Sequence, residues 1–375
     1  MSSSGAVGSG AVFVVPGGIA DPAVPSGGNV YDRRTLEELA RAGVPVREVR
    51  VDGAWPDPDS AGREGLARAL ADLPDGTPVL IDGLVACGVP EVVVPAAARL
   101  RLAVLVHLPL ADETGTPPES ASVLESREGA VLRAAELTVA TSGHAARDLA
   151  RRHGLDPARV HTVEPGTDPA PVAPGTDGAT RLLCVASVTP RKGHDVLVEA
   201  LAANRGRRWE CVCAGPEPAG SAFPRQVRHR IGEHGLSHRV RFTGPLEPPA
   251  LDRAYAEADL VLLPSRAETF GMAAAEALAR GIPVAASTAG ALPATVGRSP
   301  DGTVPGLLVP PDDAPALGAA IGRWLEEADL RDELRAAARA RRAELRTWQS
   351  AARDMAGVLE RLTAAAARRT REEAR

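Results

Sequence analysis

The sequence predicts an α/β chain made of two doubly wound, Rossmann-like lobes, and three observations carry that expectation. Its apolar segments are short, β-branched and separated by helix-length amphipathic stretches, the alternation that a parallel sheet covered by helices produces. A stretch dense in Pro, Gly, Thr and Asp, PGTDPAPVAPGTDGAT at 165–180, interrupts the pattern and reads as an interdomain linker. Beyond it the same alternation starts again. At 375 residues the chain is also long for a single core.

Taken in order, AVFVVPG (11–17) reads as the first strand and RTLEELARAG as part of a helix. VPVREVRV is a second strand, AGREGLARALADL a helix and TPVLIDG a third strand. RLAVLVH and ELTVATS continue the series, followed by the helix HAARDLARRHG and the strand RVHTVEPG. After the linker, RLLCVAS, RWECVCAG, VRFTG, DLVLLPS, IPVAAS and GLLVPP read as strands, with DVLVEALAAN, LDRAYAEA and GMAAAEALARG as helices between them. A helical tail begins near 314 and ends in TAAAARRTREEAR, whose last residues are expected to fray. The expected boundaries are 1–170 for the first domain, 171–345 for the second, and 346–375 for a closing helix and its tail. Two similar lobes facing a cleft is the architecture expected.

Composition narrows the function. A formal net charge of −5 and an aromatic content of 3% offer neither a basic footprint nor stacking platforms for nucleic acid. The opening MSSSGAVGSG lacks the basic and apolar regions of a signal peptide, and no apolar run approaches membrane-spanning length. A cytoplasmic protein is expected, with peripheral association at the inner membrane face left open. Cys87, Cys184, Cys211 and Cys213 show no metal-ligand spacing and read as reduced packing residues. The first strand runs into PGGIADP, which lacks the G-x-G-x-x-G turn, so a nicotinamide dehydrogenase is disfavoured. His229, His234 and His238 lie on or just after one helix with no carboxylate cluster, and DPD at 57–59 sits in a Pro-rich loop. No metal and no cofactor are expected.

Two constellations carry chemistry. In PSRAETFGMAAAEALAR (264–280), Glu268 precedes a helix that begins near Phe270, Gly271 and Met272, and Glu276 lies inside that helix. Free N–H groups at the helix start suit an anion, Gly271 permits close approach, and carboxylates accept hydrogen bonds from vicinal hydroxyls. An acidic loop residue and a solvated helical Glu is the competing reading. In SVTPRKGHDVLVEA (187–200), Arg191 and Lys192 sit in the turn between a strand and a helix, which suits a diphosphate as well as it suits a basic surface turn. Both constellations fall at strand C-terminal ends of one domain, where open α/β sheets bind ligands.

These residues resemble the retaining glycosyltransferases of family 4, which have the two-lobed GT-B fold. Glu268 and Glu276 look like that family's Glu-x7-Glu motif, and TPRKGHDVLVEAL, VRFTGPL, YAEADLVLLPS, GLLVPPDD and VEPGTDP resemble segments that recur in it. The first half is similar more thinly, through PSGGNVYDRRTLEELARAG, VLVHLPLADETG and VATSGHAARDLA. The resemblance implies that Glu268 contacts hydroxyls of the transferred sugar, Glu276 the ribose, and Lys192 with Arg191 the diphosphate. It implies backbone contacts to sugar and phosphate around Phe270, Gly271 and Met272. Gly27 and Gly28 resemble the family's glycine loop after the first strand. His107 resembles its histidine near the reaction centre, where the bare sequence suggests a half-buried packing histidine. Trp348 resembles part of the last helix, which crosses back to the first domain. The chain departs from the family at Ala186-Ser187, where Gly-Arg is usual, so Arg191 would have to stand in for the missing Arg.

The implied reaction is metal-independent, same-face transfer of a sugar from a nucleotide-sugar donor to the hydroxyl of a small molecule, glycan or lipid headgroup. Preorganised cations and a helix N-terminus would stabilise the departing diphosphate. An epimerase, a phosphorylase or a non-catalytic nucleotide-sugar binding protein are the alternatives.

Overall fold

The computed structural model describes residues 10–19, 26–112 and 117–373, with side chains described to 364. The segments 1–9, 20–25 and 113–116 lie outside the described residues, as does part of the tail expected to fray. Two compact units are present: one holds the described residues 10–19, Gly28–Glu164 and the chain from Trp348 onward, the other Gly27 and Pro165–Thr347.

In the first unit the strands are β1 (Ala11–Pro16), β2 (Val46–Val51), β3 (Pro78–Asp82), β4 (Arg101–Val106), β5 (Leu137–Ala140) and β6 (Val160–Thr162). They form one six-stranded sheet in the order β2-β1-β3-β4-β5-β6, parallel throughout. β1, β3 and β4 are buried along their whole length, as their near-continuous apolar runs require of a sheet covered on both faces. β2 lies at an edge and reads VREVRV with only Val51 fully buried; its charges discourage edge-to-edge pairing.

The second unit repeats the scheme with β7 (Arg181–Val185), β8 (Glu210–Ala214), β9 (Val240–Gly244), β10 (Leu260–Leu263), β11 (Val284–Ser287) and β12 (Gly306–Val309). Their order is β12-β11-β10-β7-β8-β9, again parallel. Cys184, Cys211 and Cys213 face one core there, and Cys87 the core of the first unit; all four are free and buried. The Pro- and Gly-rich stretch 165–180 carries no helix or strand, yet it is tied to the second unit. Thr176 donates its N–H and hydroxyl to buried Asp259 at 3.0 and 2.7 Å, and Arg181 N adds a third bond at 3.0 Å.

The last helix, Trp348–Glu373, packs within the first unit against β3 and β4. Trp348, Ala351, Ala352, Met355, Val358, Leu359 and Leu362 form its buried stripe, the three-and-four spacing of an amphipathic helix. Each large apolar side chain there contributes about 2 kcal/mol of burial.

In each sheet the strand order reverses once, between β1 and β3 and between β10 and β7. At such a point the crossovers leave in opposite directions and open a crevice beyond the strand C-termini. The Glu268 and His107 clusters described below lie at these two points.

Candidate active site

In the second unit, β7 and β10 pair side by side, Leu182 against Leu260, so the turns that follow them meet. After β7 the chain forms a 3-10 turn, Pro190–Lys192, and passes through Gly193 into the helix His194–Ala203. Gly193 has φ +69°, and a Cβ there would lie 2.1 Å from the carbonyl oxygen of Pro264, just past β10. Only glycine allows that approach. Arg266 locks the same junction: its guanidinium grips both oxygens of Asp195 at 2.9 Å, and its backbone N–H bonds Arg191 O at 2.7 Å.

This lock brings Glu268 against the basic turn. Lys192 Nζ donates to Glu268 Oε1, Ser265 Oγ reaches the same oxygen at 3.0 Å, and Arg191 Nη1 lies 3.9 Å from Oε2. Arg191 also donates to Ala267 O at 3.3 Å. Glu268 is 8% exposed. Burial alone would raise its pKa, but the adjacent Lys192 and Arg191, with the bonds from Lys192 and Ser265, hold it below the ordinary carboxylate range. Two groups nearby lack any partner: Thr189 Oγ1 and Arg191 Nε are buried and unbonded among the described residues. Buried donors left open are expected where a ligand supplies the missing acceptor.

Gly271 precedes the helix Met272–Ala279 at φ +96°, and no side chain caps that helix. Its first amides, at Met272 and Ala273, are therefore the orphan donors of a helix N-terminus. Phe270 is pinned by Thr295, whose hydroxyl donates to Phe270 O, and Ala291 N bonds Glu268 O at 2.9 Å. Glu276 projects from the second turn into different company. The hydroxyl of fully buried Tyr255 donates to its Oε2 at 2.7 Å, and Arg280 stacks over the Tyr255 ring at 4.5 Å. Burial raises the Glu276 pKa against the pull of Tyr255 and Arg280, with Asp168 and Asp252 adding to the rise. Glu268 is thus buried in an ion pair, and Glu276 is half-buried and hydrogen-bonded to Tyr255.

The first unit holds His107 immediately after β4. Its Nε2 lies 2.8 Å from Asp32 Oδ1 and 3.3 Å from Asp82 Oδ2. Asp82 ends β3 and is oriented by Leu84 N–H on its Oδ1 at 2.6 Å; Asp32 comes from the helix Gly27–Arg41. Burial would lower the His107 pKa, but the two aspartates outweigh it and raise it to about 10. Burial also lifts Asp32 to about 7, whereas hydrogen bonds from His107 keep Asp82 low in spite of its burial. Asp32, Asp82 and His107 are the group among the described residues close enough to hold a metal ion, their ligand atoms within 4.8 Å of one another. Tyr31 sets its ring edge-on to His107 at 5.1 Å and donates its hydroxyl to Val163 O at 2.9 Å.

Gly27 and Gly28, read from sequence as a loop, are the first two residues of the helix Gly27–Arg41; the segment before Ser26 lies outside the described residues. A Cβ on Gly28 would sit 3.1 Å from His107 Cδ2. Asp32, Asp82, Tyr255, Thr189 and Ser265 were not singled out from sequence. A carboxylate ending an apolar strand, as in TPVLIDG, was the available signal for Asp82. The Asp57-Pro-Asp59 stretch is structural: Asp59 caps a helix through Gly62 N and Asp57 pairs with Arg63. His234 is half-buried, 3.1 Å from Glu199. Grooves of about 530 and 540 Å³ lie at the opposite, N-terminal end of the second sheet, lined by Arg181, Glu210 and Arg239, where open α/β sheets do not bind ligands.

The basic turn, the paired carboxylate and the uncapped helix meet at one switch point, an apparatus whose chemistry suits a phosphate-bearing ligand. Residues 173–341 match the family Glycosyl transferases group 1. This group 1 domain covers the whole of that apparatus. Over 273 residues the chain is 34% identical to the D-inositol 3-phosphate glycosyltransferase of Jonesia denitrificans, covering 67% of this chain and 63% of that protein. The chain therefore spans less than two thirds of that relative's length. Among solved structures, sucrose-phosphate synthase of Thermosynechococcus elongatus superposes with a TM-score of 0.77 at 24% identity, over 95% of this chain and 100% of that one. HepE of Anabaena, solved with UDP and glucose, gives 0.72 at 19% identity, over 93% and 98%. These likenesses establish the GT-B fold, with the group 1 domain as its second lobe.

Proposed function

We propose that the chain is a retaining glycosyltransferase of family 4, which transfers a sugar from a nucleotide-sugar donor to an acceptor hydroxyl without a metal. One observation carries the reading most directly: Glu268 and Glu276 are eight positions apart, yet one is tied to Lys192 and Arg191 and the other to Tyr255. The first arrangement suits a diphosphate and its sugar, the second a ribose. Tyr255 occupies Glu276 Oε2, which leaves Oε1 to accept from ribose hydroxyls.

Departure of the nucleoside diphosphate leaves an oxocarbenium-like sugar and concentrates negative charge on phosphate oxygens. Lys192 and Arg191 carry two positive charges against the one of Glu268, and the orphan amides at Met272 and Ala273 add the helix dipole. Thr189 Oγ1 and Arg191 Nε are available as further donors. Arg191 so supplies, from another position, the second cation that Ser187 cannot. Glu268 would accept from sugar hydroxyls while keeping Lys192 in place. In this scheme no carboxylate attacks the sugar; the leaving phosphate takes the acceptor's proton on the same face. His107, in the first unit, is assigned to the sugar.

A uridine diphosphate sugar is the first donor to try, since HepE was solved with UDP. Acceptors to try first are inositol phosphates, after the name of the Jonesia relative, then neutral polyols, glycans and lipid headgroups. No described helix is long and apolar enough to cross a membrane; cytoplasmic location, with peripheral membrane contact for a lipid acceptor, belongs to the same proposal. The test is a panel of nucleotide sugars in a thermal-shift assay, followed by mass spectrometry of products and NMR of the anomeric configuration. Glu276→Ala is expected to weaken donor binding and Lys192→Ala to abolish turnover. Wild-type kinetics in both variants would sink the proposal, and donor binding without any product would favour a sensor.

A further inference from the structure

Arg266 joins three loops at the C-terminal edge of the second sheet. It belongs to the loop after β10, between Ser265 and the ion-paired Glu268. Its backbone N–H donates to Arg191 O at 2.7 Å. Its guanidinium donates to Pro190 O and, at 2.9 Å, to each oxygen of Asp195, all in the segment that follows β7. Its Nε donates to Asp312 Oδ1, in the loop that follows β12. Asp195 thus holds the planar fork at its tip, through Nη1 and Nη2, and Asp312 holds it at the Nε corner.

Asp312 is the unusual member of this set. Among the described residues it is the one non-glycine with a positive φ, +59°, a conformation that carries a backbone cost for any residue with a Cβ. The ends of its loop are fixed without it. Val309 O accepts from Thr288 N–H at 2.8 Å on one side, and on the other Asp313 caps the helix Ala314–Glu326 through Ala316 N–H at 2.8 Å. Nor does the ion pair offset the cost in stability, because Asp312 is 60% exposed and a pair so open to water adds little. What Asp312 does is stop the Arg266 fork from pivoting about Asp195.

We propose that Asp312 and Arg266 are positioning residues that couple the loop after β12 to the basic turn Pro190–Lys192, so that Asp312 sets where Arg191 and Lys192 present their charges. That a diphosphate receives those charges rests on the glycosyl-transfer reading above; the coupling of the loops does not. The turn itself is held by two local bonds, Lys192 N–H to Thr189 O at 3.0 Å and Gly193 N–H to Pro190 O at 3.1 Å. Arg266 adds a donor to Pro190 O and another to Arg191 O, so a shift of its fork moves the main chain on which both cations stand.

Three variants of the full chain separate geometry from stability. Asp312→Gly removes the carboxylate and the backbone cost together. Asp312→Asn keeps an acceptor oxygen on a residue that tolerates the left-handed region, and Arg266→Lys keeps the charge without the fork. Asp312→Gly is expected to melt no lower than wild type, yet to speed hydrogen exchange at the Lys192 and Gly193 amides about tenfold, with the β10 amides unchanged. Its UDP affinity should fall about threefold and its kcat about tenfold, because displacing a group that acts on the leaving phosphate costs rate more than binding. Arg266→Lys should show the same changes more strongly, and Asp312→Asn should stay within about twofold of wild type. If Arg266→Lys does not fold, the two Asp312 variants decide. Asp312→Gly with wild-type exchange in the turn overturns the proposal, as does faster exchange with wild-type affinity and kcat. A wild-type chain that binds no UDP and transfers no sugar would instead count against the glycosyl-transfer reading, and the exchange comparison, which needs no ligand, would still decide the coupling.

Discussion

Tyr255, itself fully buried, gives its hydroxyl hydrogen to Oε2 of half-buried Glu276 at 2.7 Å. The bond orients the carboxylate from behind, so the face left open is the one a ribose would meet. Tyr255→Phe keeps the ring and removes the donor. A net hydrogen bond of this kind is worth about 1 kcal/mol, so nucleoside diphosphate affinity should fall about fivefold, with kcat little changed. Isothermal titration with UDP reads the first quantity and steady-state kinetics the second.

The two glutamates should respond to neutralisation with opposite signs. Glu268 has a depressed pKa, so the stability it contributes is present above its unfolded value, near 4.5, and is lost as pH falls. Glu268→Gln should lower stability at pH above neutrality, by roughly 1–3 kcal/mol for a broken, partly buried ion pair, and should match wild type in acid. Glu276 has a raised pKa. Its folded-state advantage is greatest when protonated and declines as pH rises through the same region. Glu276→Gln should therefore raise Tm at neutral pH even as it weakens donor binding. Thermal melts from acid to mildly alkaline pH check both; parallel curves for the two variants would contradict the assignment.

Gly193→Ala tests the junction between the two turns. Its Cβ would meet Pro264 O at 2.1 Å in a backbone with φ +69°, and the obstacle is main chain rather than a flexible side chain. The variant should lose about 1–3 kcal/mol and should lose nucleotide affinity as well, because Arg191 and Lys192 sit directly before it. Circular dichroism melts and UDP titration separate the two effects. Retained stability with lost affinity would still place the turn in the ligand site, whereas full retention of both contradicts the close packing.

Trp348→Ala tests the attachment of the last helix. Trp348 is 3% exposed and packs edge-on to Tyr31 at 5.9 Å. A cavity of that size in a core costs about 3–5 kcal/mol. Limited proteolysis should then cut between the helices ending at Arg341 and starting at Trp348 earlier than in wild type. Cleavage at an unchanged rate would show that the remaining stripe, Met355 to Leu362, is sufficient alone.

The parts of this fold that were legible in the sequence are those whose determinants are local. Buried parallel strands such as β1 and β10 are continuous apolar runs, and the Arg191-Lys192 turn and the Glu268 loop sit within a few residues of such strands. What escaped is set by distant partners. Asp32 and His107 are 75 residues apart and meet because β1, β3 and β4 are neighbours; nothing in VYDRR marks its aspartate as buried. Tyr255 reads as an ordinary core residue of an amphipathic helix until Glu276 is placed beside it. The helix Gly27–Arg41 was legible only from Arg34 onward, since Gly27, Gly28 and Asn29 have poor helix propensity that tertiary packing overrides. The helix Pro90–Ala96 was missed for a related reason, having Pro95 within it.

The four buried thiols have a consequence for how this molecule could be followed in solution. Cys87 lies in one core and Cys184, Cys211 and Cys213 in the other, and none is bonded to another. A thiol shielded from reagent is modified only when its surroundings open, so labelling rates measure local opening rather than surface chemistry. The chain thus carries a separate native clock in each unit. Mass-resolved alkylation, with and without a nucleotide sugar, would show which of the two a ligand slows.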